Sequence, residues 1–251
     1  MKTLTWDIET SPMLVDAWKL WDNNTGLTQV HDWTRMICFA AKWADSDKVL
    51  FFSERQHGHE RMVRKLYELV DEADVIVTYN GDRFDVSHAN REFALLGLTP
   101  PSPVFSVDLL KVVKKQFKFA SNKLAHITEQ FGLSGKMDNS GHQLWRDCLY
   151  GDEPVKRAAW REMKKYAMQD VVTTEELFHR IKPWIPRLPN PSLFDGETGY
   201  DRCPACGGSE LEARGKVTTG LAVFQQYKCK DPACGRWSRS GKAVGRVDLR
   251  A

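Results

Sequence analysis

Two close pairs of cysteines near the C-terminus place the strongest constraint on how this 251-residue chain can fold. Cys203 and Cys206 flank two residues, Cys229 and Cys234 flank four, and 22 residues separate the two pairs. Two thiolate pairs joined by a loop are typical of the tetrahedral four-cysteine site of a structural zinc ribbon. In so small a module, one bound Zn²⁺ would supply much of the folding free energy. The alternative, four unliganded thiols, does not account for this spacing.

The cysteine pattern also indicates a cellular compartment. Metal-type spacing is typical of a reducing environment, and the remaining thiols, Cys38 and Cys148, stand alone and are interpreted as core or near-surface residues. The first ten residues carry carboxylates and no apolar signal region, and no stretch approaches the roughly 18 apolar residues of a membrane span. We therefore predict a cytoplasmic protein with no membrane partner.

Four prolines at positions 183, 186, 189 and 191 prevent a helix from continuing through that segment. They predict three parts: a body over residues 1–182, a semi-rigid linker over 183–198 and the four-cysteine zinc ribbon over 199–251. Residues 196–251 hold ten Lys and Arg against six Asp and Glu, whereas the rest of the chain is nearly neutral. A basic tail suits contact with phosphate, although a solvated small domain with a chance excess of Arg would look the same.

The body begins with strands and continues with alternating strands and helices. Apolar runs at 36–43 and 49–52, separated by Asp47 and Lys48, predict a β-hairpin after a first strand at 2–6. Further elements follow by hydrophobic periodicity: strands over 75–79 and 104–107, and helices over 59–73, 84–96, 109–117, 122–131 and about 154–181. This order predicts a layered α/β or α+β domain.

Acidic residues stand at the end of the first predicted strand. Asp7 and Glu9 are two residues apart, so both side chains point to the same face of the sheet. Two carboxylates this close repel each other unless a cation neutralises them. In isolation the pair could equally be a solvated strand end.

Two further segments place acids in positions typical of active sites. Asp85 follows the buried strand at 75–79 and opens a helix, at the sheet edge where α/β sites are found, although Asp is also a common helix N-cap. We interpret the neighbouring Asp82 as a turn residue. Tyr166 and Asp170 lie four residues apart on the last helix and so share one face, as a surface Tyr–Asp pair would also do.

The three segments together, Asp7-Ile-Glu-Thr10, Tyr79-Asn-Gly-Asp-Arg-Phe-Asp85 and Tyr166-Ala-Met-Gln-Asp170, resemble the three motifs of the DEDD 3′–5′ exonuclease superfamily. The resemblance is closest to the proofreading domains of family B DNA polymerases and their stand-alone relatives. It implies a ribonuclease H-like mixed sheet flanked by helices over roughly residues 1–181. The branch of the superfamily with a histidine would have it at position 165, which is a lysine here, so Tyr166 indicates the Tyr branch.

This resemblance implies a role for each motif residue. Asp7, Glu9, Asp85 and Asp170 would hold two Mg²⁺ or Mn²⁺ ions, with Asp7 shared between them. Glu9 and Asp170 would complete the ion that activates water, and Asp85 would help bind the one near the leaving oxygen. Tyr166 would orient the attacking water, since a phenol with a pKa near 10 is unsuited to act as the base.

Other residues are candidate substrate contacts. Asn80 could position the substrate by hydrogen bonding and Phe84 by packing, although Phe84 is equally compatible with a core role. Trp18 and Trp21, in an insertion after the first strand, could stack on bases or form an apolar flap against the body. Trp237, among basic residues of the zinc ribbon, suits nucleic-acid contact, while a protein-docking or purely structural module is also compatible with its sequence.

The resemblance therefore implies an enzyme that acts on nucleic acid. The leading hypothesis is a metal-dependent 3′–5′ exonuclease that releases nucleoside 5′-monophosphates from DNA single strands or 3′ ends. An RNA exonuclease or a structure-trimming nuclease is the alternative, because metals and carboxylates do not distinguish the sugar. A non-catalytic nucleic-acid adaptor would be expected to lack one or more of the acids, and all four are present with Tyr166.

Overall fold

The computed structural model describes residues 1–19, 21, 24–135, 140–194 and 202–249 of the chain. It divides into two compact units, which are treated separately below. The first unit is Lys2–Leu177, and the second is Phe178–Ala251 together with Met1.

A five-stranded mixed sheet forms the centre of the first unit. The strands of this unit are β1 (Thr3–Thr10), β2 (Leu14–Val15), β3 (Val30–Asp32), β4 (Met36–Trp43), β5 (Val49–Ser53), β6 (Val75–Thr78) and β7 (Phe105–Asp108). The sheet has the order β5-β4-β1-β6-β7, and β2 pairs with β3 outside it. β1, β4 and β5 are antiparallel neighbours, whereas β6 and β7 run parallel to β1. The C-terminal ends of β1, β6 and β7 therefore lie at one edge.

Helices flank the sheet. They are α1 (Glu54–His57), α2 (His59–Glu72), α3 (Asp85–Leu95), α4 (Leu109–Gln116), α5 (Leu124–Gln130), α6 (His142–Tyr150) and α7 (Glu153–Ile181). Pro154 occupies the first turn of α7, where its missing N–H has no helical partner to lose. Within the described residues, no helix is both long enough and apolar enough to cross a bilayer.

The alternation of side chains along β1 divides the first unit into two cores. Leu4, Trp6 and Ile8 are buried in a cluster shared with residues of α2 and α3. On the other face of the sheet, Ala40 of β4 packs against Ala167 of α7. Because Asp7 and Glu9 alternate with the first set, they lie on the face that α7 covers.

The predicted α/β architecture is confirmed, and the main predicted strands and helices of the first unit are present within a few residues. Gly97 has a φ of 70° just after α3, the left-handed backbone that ends many helices. Helices α1 and α6 and the β2–β3 pair were not predicted. α1 and the two strands have at most four residues each, too few for a periodic signal, whereas the spacing of Leu144 and Cys148 in α6 was an available signal.

The second unit contains a three-stranded antiparallel sheet. Its strands are β8 (Leu211–Thr218), β9 (Ala222–Cys229) and β10 (Trp237–Arg246), in the order β10-β9-β8. Short 3₁₀ turns occupy Lys182–Trp184 and Pro191–Leu193 in the segment predicted as a linker, and residues 195–198 of that segment lie outside the described residues.

Candidate active site and metal centres

Three acidic side chains converge on the face of the sheet that α7 covers. One carboxylate oxygen from each of Asp7, Glu9 and Asp170 lies within 4.8 Å of the others. Asp7 and Glu9 are supplied by the last residues of β1, and Asp170 comes from α7 more than 160 residues away in the chain. We call these residues the acidic trio. Three carboxylates at this distance repel each other strongly, and oxygen donors of this kind suit a hard divalent cation.

Tyr166 lies one helical turn before Asp170 and is hydrogen bonded to its carboxylate. Burial raises the pKa of the Tyr166 phenol well above its ordinary value, and the neighbouring carboxylates, Asp170 foremost, raise it further. The ring also meets Trp145 of α6 edge-on, with centroids 6.1 Å apart. The phenol is therefore held in place and stays protonated at neutral pH.

Asp85 is hydrogen bonded to the end of β1. Its Oδ1 accepts a hydrogen bond of 3.0 Å from the backbone N–H of Ile8, the residue between Asp7 and Glu9. Burial raises the pKa of Asp85 to about 7, although that N–H acts to lower it. Asp85 is the first residue of α3 rather than its N-cap, which is Phe84, so the N-cap interpretation was wrong. Asp85 lies outside the acidic trio but is bonded to the same strand.

The loop that delivers Asp85 has an unusual backbone. Asn80 has a φ of 69°, in the left-handed region that is uncommon for residues other than glycine. At Gly81 a Cβ atom would stand only 2.2 Å from Oγ1 of Thr78, so a side chain there would force the loop to move. Asp82 accepts hydrogen bonds from Ser106 and Lys111, as expected of a turn residue rather than a metal ligand.

Asp108 is a residue of the site region that the sequence analysis did not single out. It is buried at the end of β7, caps α4 through the Leu110 N–H and accepts the backbone N–H of Asn80 at 2.9 Å. Its charge also contributes to the raised pKa of Asp85. An acid at the end of a parallel strand, directly before a helix, was the available signal. Asp108 positions the loop that carries Asp85.

The candidate substrate contacts fall into different environments. Phe84 is half-buried against the core of α2 and α3, and its ring meets His88 at 4.6 Å, so it has the core role in part. Trp18 and Trp21 are 96% and 80% exposed, which contradicts the alternative of an apolar flap packed against the body. In the second unit Trp237 is 47% exposed, with Nζ of Lys228 6.0 Å from its ring centroid.

The four C-terminal cysteines form a second cluster of metal-ligand type. Their sulfur atoms all lie within 4.8 Å of one another. Sγ of Cys203 is 3.6 Å from that of Cys234, and Sγ of Cys206 is 3.7 Å from that of Cys229. Tetrahedral zinc with Zn–S bonds of about 2.3 Å separates its sulfurs by roughly 3.8 Å, whereas a disulfide bond measures about 2.05 Å. The donor set therefore fits one zinc ion. The two isolated cysteines, at positions 38 and 148, are both buried, as predicted.

A mixed sheet flanked by helices, with acids gathered at the end of its first strand, defines a ribonuclease H-like protein. The RNase_H superfamily matches residues 24–182, so the chain belongs to that superfamily. The matched range contains Asp85, Tyr166 and Asp170 and begins after Asp7 and Glu9. Membership supports a nuclease related to exonucleases, in agreement with the resemblance drawn from the three motifs.

Similarity to individual proteins is more distant. Protein NEN3 of Arabidopsis thaliana is 25% identical over 124 residues, which cover 49% of this chain and 24% of NEN3. The structure of the family B DNA polymerase of the hyperthermophilic archaeon Pyrobaculum calidifontis matches 88% of this chain and 31% of that chain, with a TM-score of 0.55 and 18% identity. The second likeness concerns the fold alone, and the chain spans no more than about a third of either protein.

Proposed function

We propose that this chain is a metal-dependent 3′–5′ exonuclease that hydrolyses phosphodiester bonds of DNA, at single strands or 3′ ends, and releases nucleoside 5′-monophosphates. The observation that carries the proposal is the convergence of Asp7 and Glu9 of β1 with Asp170 of α7 within 4.8 Å. The Tyr166 phenol, bonded to Asp170, stands beside this trio. This combination of acids and phenol is the one that the resemblance to the Tyr branch implies.

The donor set fits divalent cations. Asp7, Glu9 and Asp170 would hold Mg²⁺ or Mn²⁺ together with Asp85, whose buried carboxylate becomes easier to ionise beside a cation. Two such ions, when bound, neutralise charge on the reacting phosphate and lower the pKa of a water molecule. The protein contributes by fixing these acids on a strand and a helix that two apolar cores hold in place.

Tyr166 acts as a positioning residue in this proposal. Its raised pKa excludes a role as general base at neutral pH, because the phenolate is scarcely populated. A protonated phenol can accept a hydrogen bond from a nearby water while it donates its own proton to Asp170. The water is thereby oriented for attack on the phosphate, with the reacting atoms close and aligned.

The terminal nucleotide would contact the loop before α3. Asn80 projects from a left-handed backbone that Asp108 and Gly81 impose, and Phe84 offers the part of its ring that the core does not cover. Trp18 and Trp21 present exposed rings to an unpaired strand. In the second unit, a structural zinc ion held by the four C-terminal cysteines would fix the strands that hold Trp237 and Lys228 near each other, as a further nucleic-acid contact.

A cleavage assay tests the proposal directly. The protein is incubated with 5′-labelled single-stranded DNA, duplex DNA and RNA, with Mg²⁺ or Mn²⁺. The expected result is a ladder of DNA products that shortens from the 3′ end, with at least about 10²-fold slower cleavage by Asp7→Asn, since an electrostatic contact at the phosphate is lost.

The matched control is Asp74→Asn. Asp74 precedes β6 at the opposite edge of the sheet, where it binds the backbone N–H of Lys2, and the substitution should leave cleavage unchanged. Preferred cleavage of RNA would transfer the assignment to an RNA exonuclease, and internal cuts would indicate a structure-trimming nuclease. Full activity in Asp7→Asn would refute the assigned site.

A further inference from the structure

A groove lined by Arg55, Arg157, Arg161 and Lys164 lies between α7 and the end of β5, within the first unit. We call it the basic groove. It encloses about 370 Å³, and the described residues that line it include these four cationic side chains and no carboxylate. All four basic side chains belong to exposed residues. The proposed reaction does not use any of them.

Three of the cations form a row on α7. Positions 157, 161 and 164 follow the helical repeat, so the side chains share one face and span about 10 Å along the axis. Like charges at these spacings repel each other. Glu153, an exposed acid at the start of α7, pairs with Arg55 at 2.9 Å, and Lys156 adds a further positive charge beside it. The groove therefore has a strong excess of positive charge.

The floor of the basic groove is aromatic and rigid. The ring of Trp160 is buried, and its Nε1 donates a hydrogen bond of 3.0 Å to the backbone oxygen of Cys148. Phe51 of β5 lines the groove beside it, with Nζ of Lys164 5.8 Å from the ring centroid. Because Trp160 is buried, the groove offers its cations to phosphates rather than a stacking platform to bases.

The position of the groove connects it to the acidic trio. Lys164 is two residues from Tyr166, whereas Arg157 is 13 residues from Asp170, or about 20 Å along α7. Phe51 pairs with Ala40 on β4, and β4 is the neighbour of β1, so the floor stands about 10 Å from the strand of Asp7. Successive residues of a helix are about 100° apart, so Lys164 and Tyr166 point to nearly opposite sides of α7, and a strand that leaves the trio passes around this helix to reach the cations.

We propose that the basic groove binds the phosphodiester backbone of the substrate strand beyond the nucleotide that is being removed. This inference rests on the proposed function, since a strand whose end reaches the trio must leave it along a neighbouring surface. Arg157, Arg161 and Lys164 contact successive phosphates, and Arg55 closes the opposite side. The groove then determines affinity for long strands and has no part in the chemical step.

The test compares the double variant Arg157→Gln/Arg161→Gln with Arg64→Gln/Lys65→Gln. The control pair are exposed cations on α2 that already bind Glu60 and Glu68. Binding of a 5′-fluorescein oligodeoxythymidylate of about 20 nucleotides is measured by anisotropy without added divalent cations, in an Asp7→Asn background, at several salt concentrations. Cleavage of the same strand and of a thymidine dinucleotide is measured with otherwise wild-type enzyme.

For the groove variant we expect Kd to rise roughly tenfold or more. The slope of log Kd against log salt should fall by about 1.4, because each phosphate contact on a single strand contributes about 0.7. KM for the long strand should rise, while kcat on the dinucleotide stays unchanged. Lys164→Gln, a smaller change, should give about half the loss of slope, and melting temperatures report that each variant is folded.

The failure of the inference differs from the failure of the proposed function. If the double variant keeps the affinity and salt slope of the α2 control while the enzyme still shortens DNA, the groove is not a substrate surface and an acidic protein partner becomes the next candidate. If the wild-type chain neither binds nor cleaves any of the nucleic acids, the proposed function is wrong and this inference falls with it.

Discussion

In the first unit the acidic trio is attached to a strand and a helix that apolar packing already fixes, whereas in the second unit the cysteines are themselves the centre of the core. Leu4, Trp6 and Ile8 bury the far face of β1 and hold Asp7 and Glu9 in register. Among the described residues of the second unit, Cys203, Ala205 and Cys229 form a buried cluster, with Leu211 and Cys234 packed against it.

The two units differ in the role of the metal. A metal can bind to a domain that is already folded, or folding of the domain can require it. Without a cation, repulsion among the carboxylates of the trio destabilises the folded state. Burial of the surrounding apolar core offsets this repulsion. In the second unit the described cluster consists largely of the candidate zinc ligands themselves, so we expect its folding to depend on a metal bound by these cysteines. The predictions that follow test this difference, in order of expected effect.

The largest effect is expected for Cys229→Ser in the second unit. Structural zinc contributes apparent free energies of about 10 kcal/mol or more to small domains, so the variant should lose zinc and the protection of β8, β9 and β10. Elemental analysis measures the zinc, and amide hydrogen exchange measures the protection. The first unit should keep its exchange pattern and its cleavage of short substrates.

Cys148→Ser provides the matched control for that experiment. This variant also replaces a cysteine by serine, but the cysteine is a buried residue of the first unit, so the zinc content should stay unchanged. A Cys229→Ser protein with full zinc and normal protection would contradict the proposed dependence of the second unit on its metal.

A smaller loss is expected for Glu92→Gln in the first unit. Glu92 is buried and accepts hydrogen bonds from the Met36 N–H, His59 and Arg91, so the neutral variant should lose about 2 to 4 kcal/mol of unfolding free energy at pH 7. Burial would raise the pKa of Glu92, but these partners lower it to about 2. Urea denaturation monitored by tryptophan fluorescence measures the difference.

The sign of the pH dependence follows from that lowered pKa. A carboxylate with a depressed pKa stabilises the fold above its unfolded value, near 4.5 here, and the contribution is lost as the pH falls toward 2. The difference in unfolding free energy between wild type and Glu92→Gln should therefore decrease below about pH 4.5. A gap that is constant across this range, or an equal loss in the exposed control Glu60→Gln, would contradict the assignment.

Tyr166→Phe should affect catalysis more than stability. Loss of the hydroxyl should lower kcat about 10- to 100-fold with little change in KM, because the phenol orients a water and does not bind substrate. Steady-state kinetics and melting temperature separate the two effects. The control Tyr67→Phe removes a partly exposed hydroxyl that contacts Thr99 and should change neither. An equal fall of kcat in Tyr166→Phe and Tyr67→Phe would contradict the positioning role of Tyr166.

The smallest effect is expected for deletion of residues 199–251. If the second unit contacts nucleic acid through its basic strands, KM for long substrates should rise more than kcat on short ones falls. Kinetics on strands of two lengths measure both. Equal processing of the two lengths by the truncated protein would leave the second unit with a structural or protein-docking role.

Local patterns predicted the α/β architecture, and the resemblance of the three motifs to a known family implied that the acids converge. Apolar runs and helical periodicity mark the elements, and the acids stand at strand and helix positions with a defined direction. The spacing of the four C-terminal cysteines likewise predicted that they form one cluster. These features are short in sequence and repeat across many folds.

Features that depend on tertiary contacts could not be predicted in the same way. The hydrogen bond from Ile8 to Asp85 joins residues 77 positions apart, and Asp108 matters because it holds the Asn80 N–H of a neighbouring loop. The sequence could not predict whether Trp18 is exposed, because an aromatic insertion can either pack against the body or remain in solvent. The basic groove requires that α7 lie beside β5, which no local pattern specifies.

The most direct test of the central claim is an anomalous difference map from crystals of the wild-type protein grown with Mn²⁺ and a nucleoside 5′-monophosphate. We expect manganese peaks coordinated by Asp7, Glu9 and Asp170, with a second ion within reach of Asp85, and zinc at the four cysteines. Asp7 and Asp170 carboxylates with no manganese beside them, in crystals that bind the nucleotide, would contradict it.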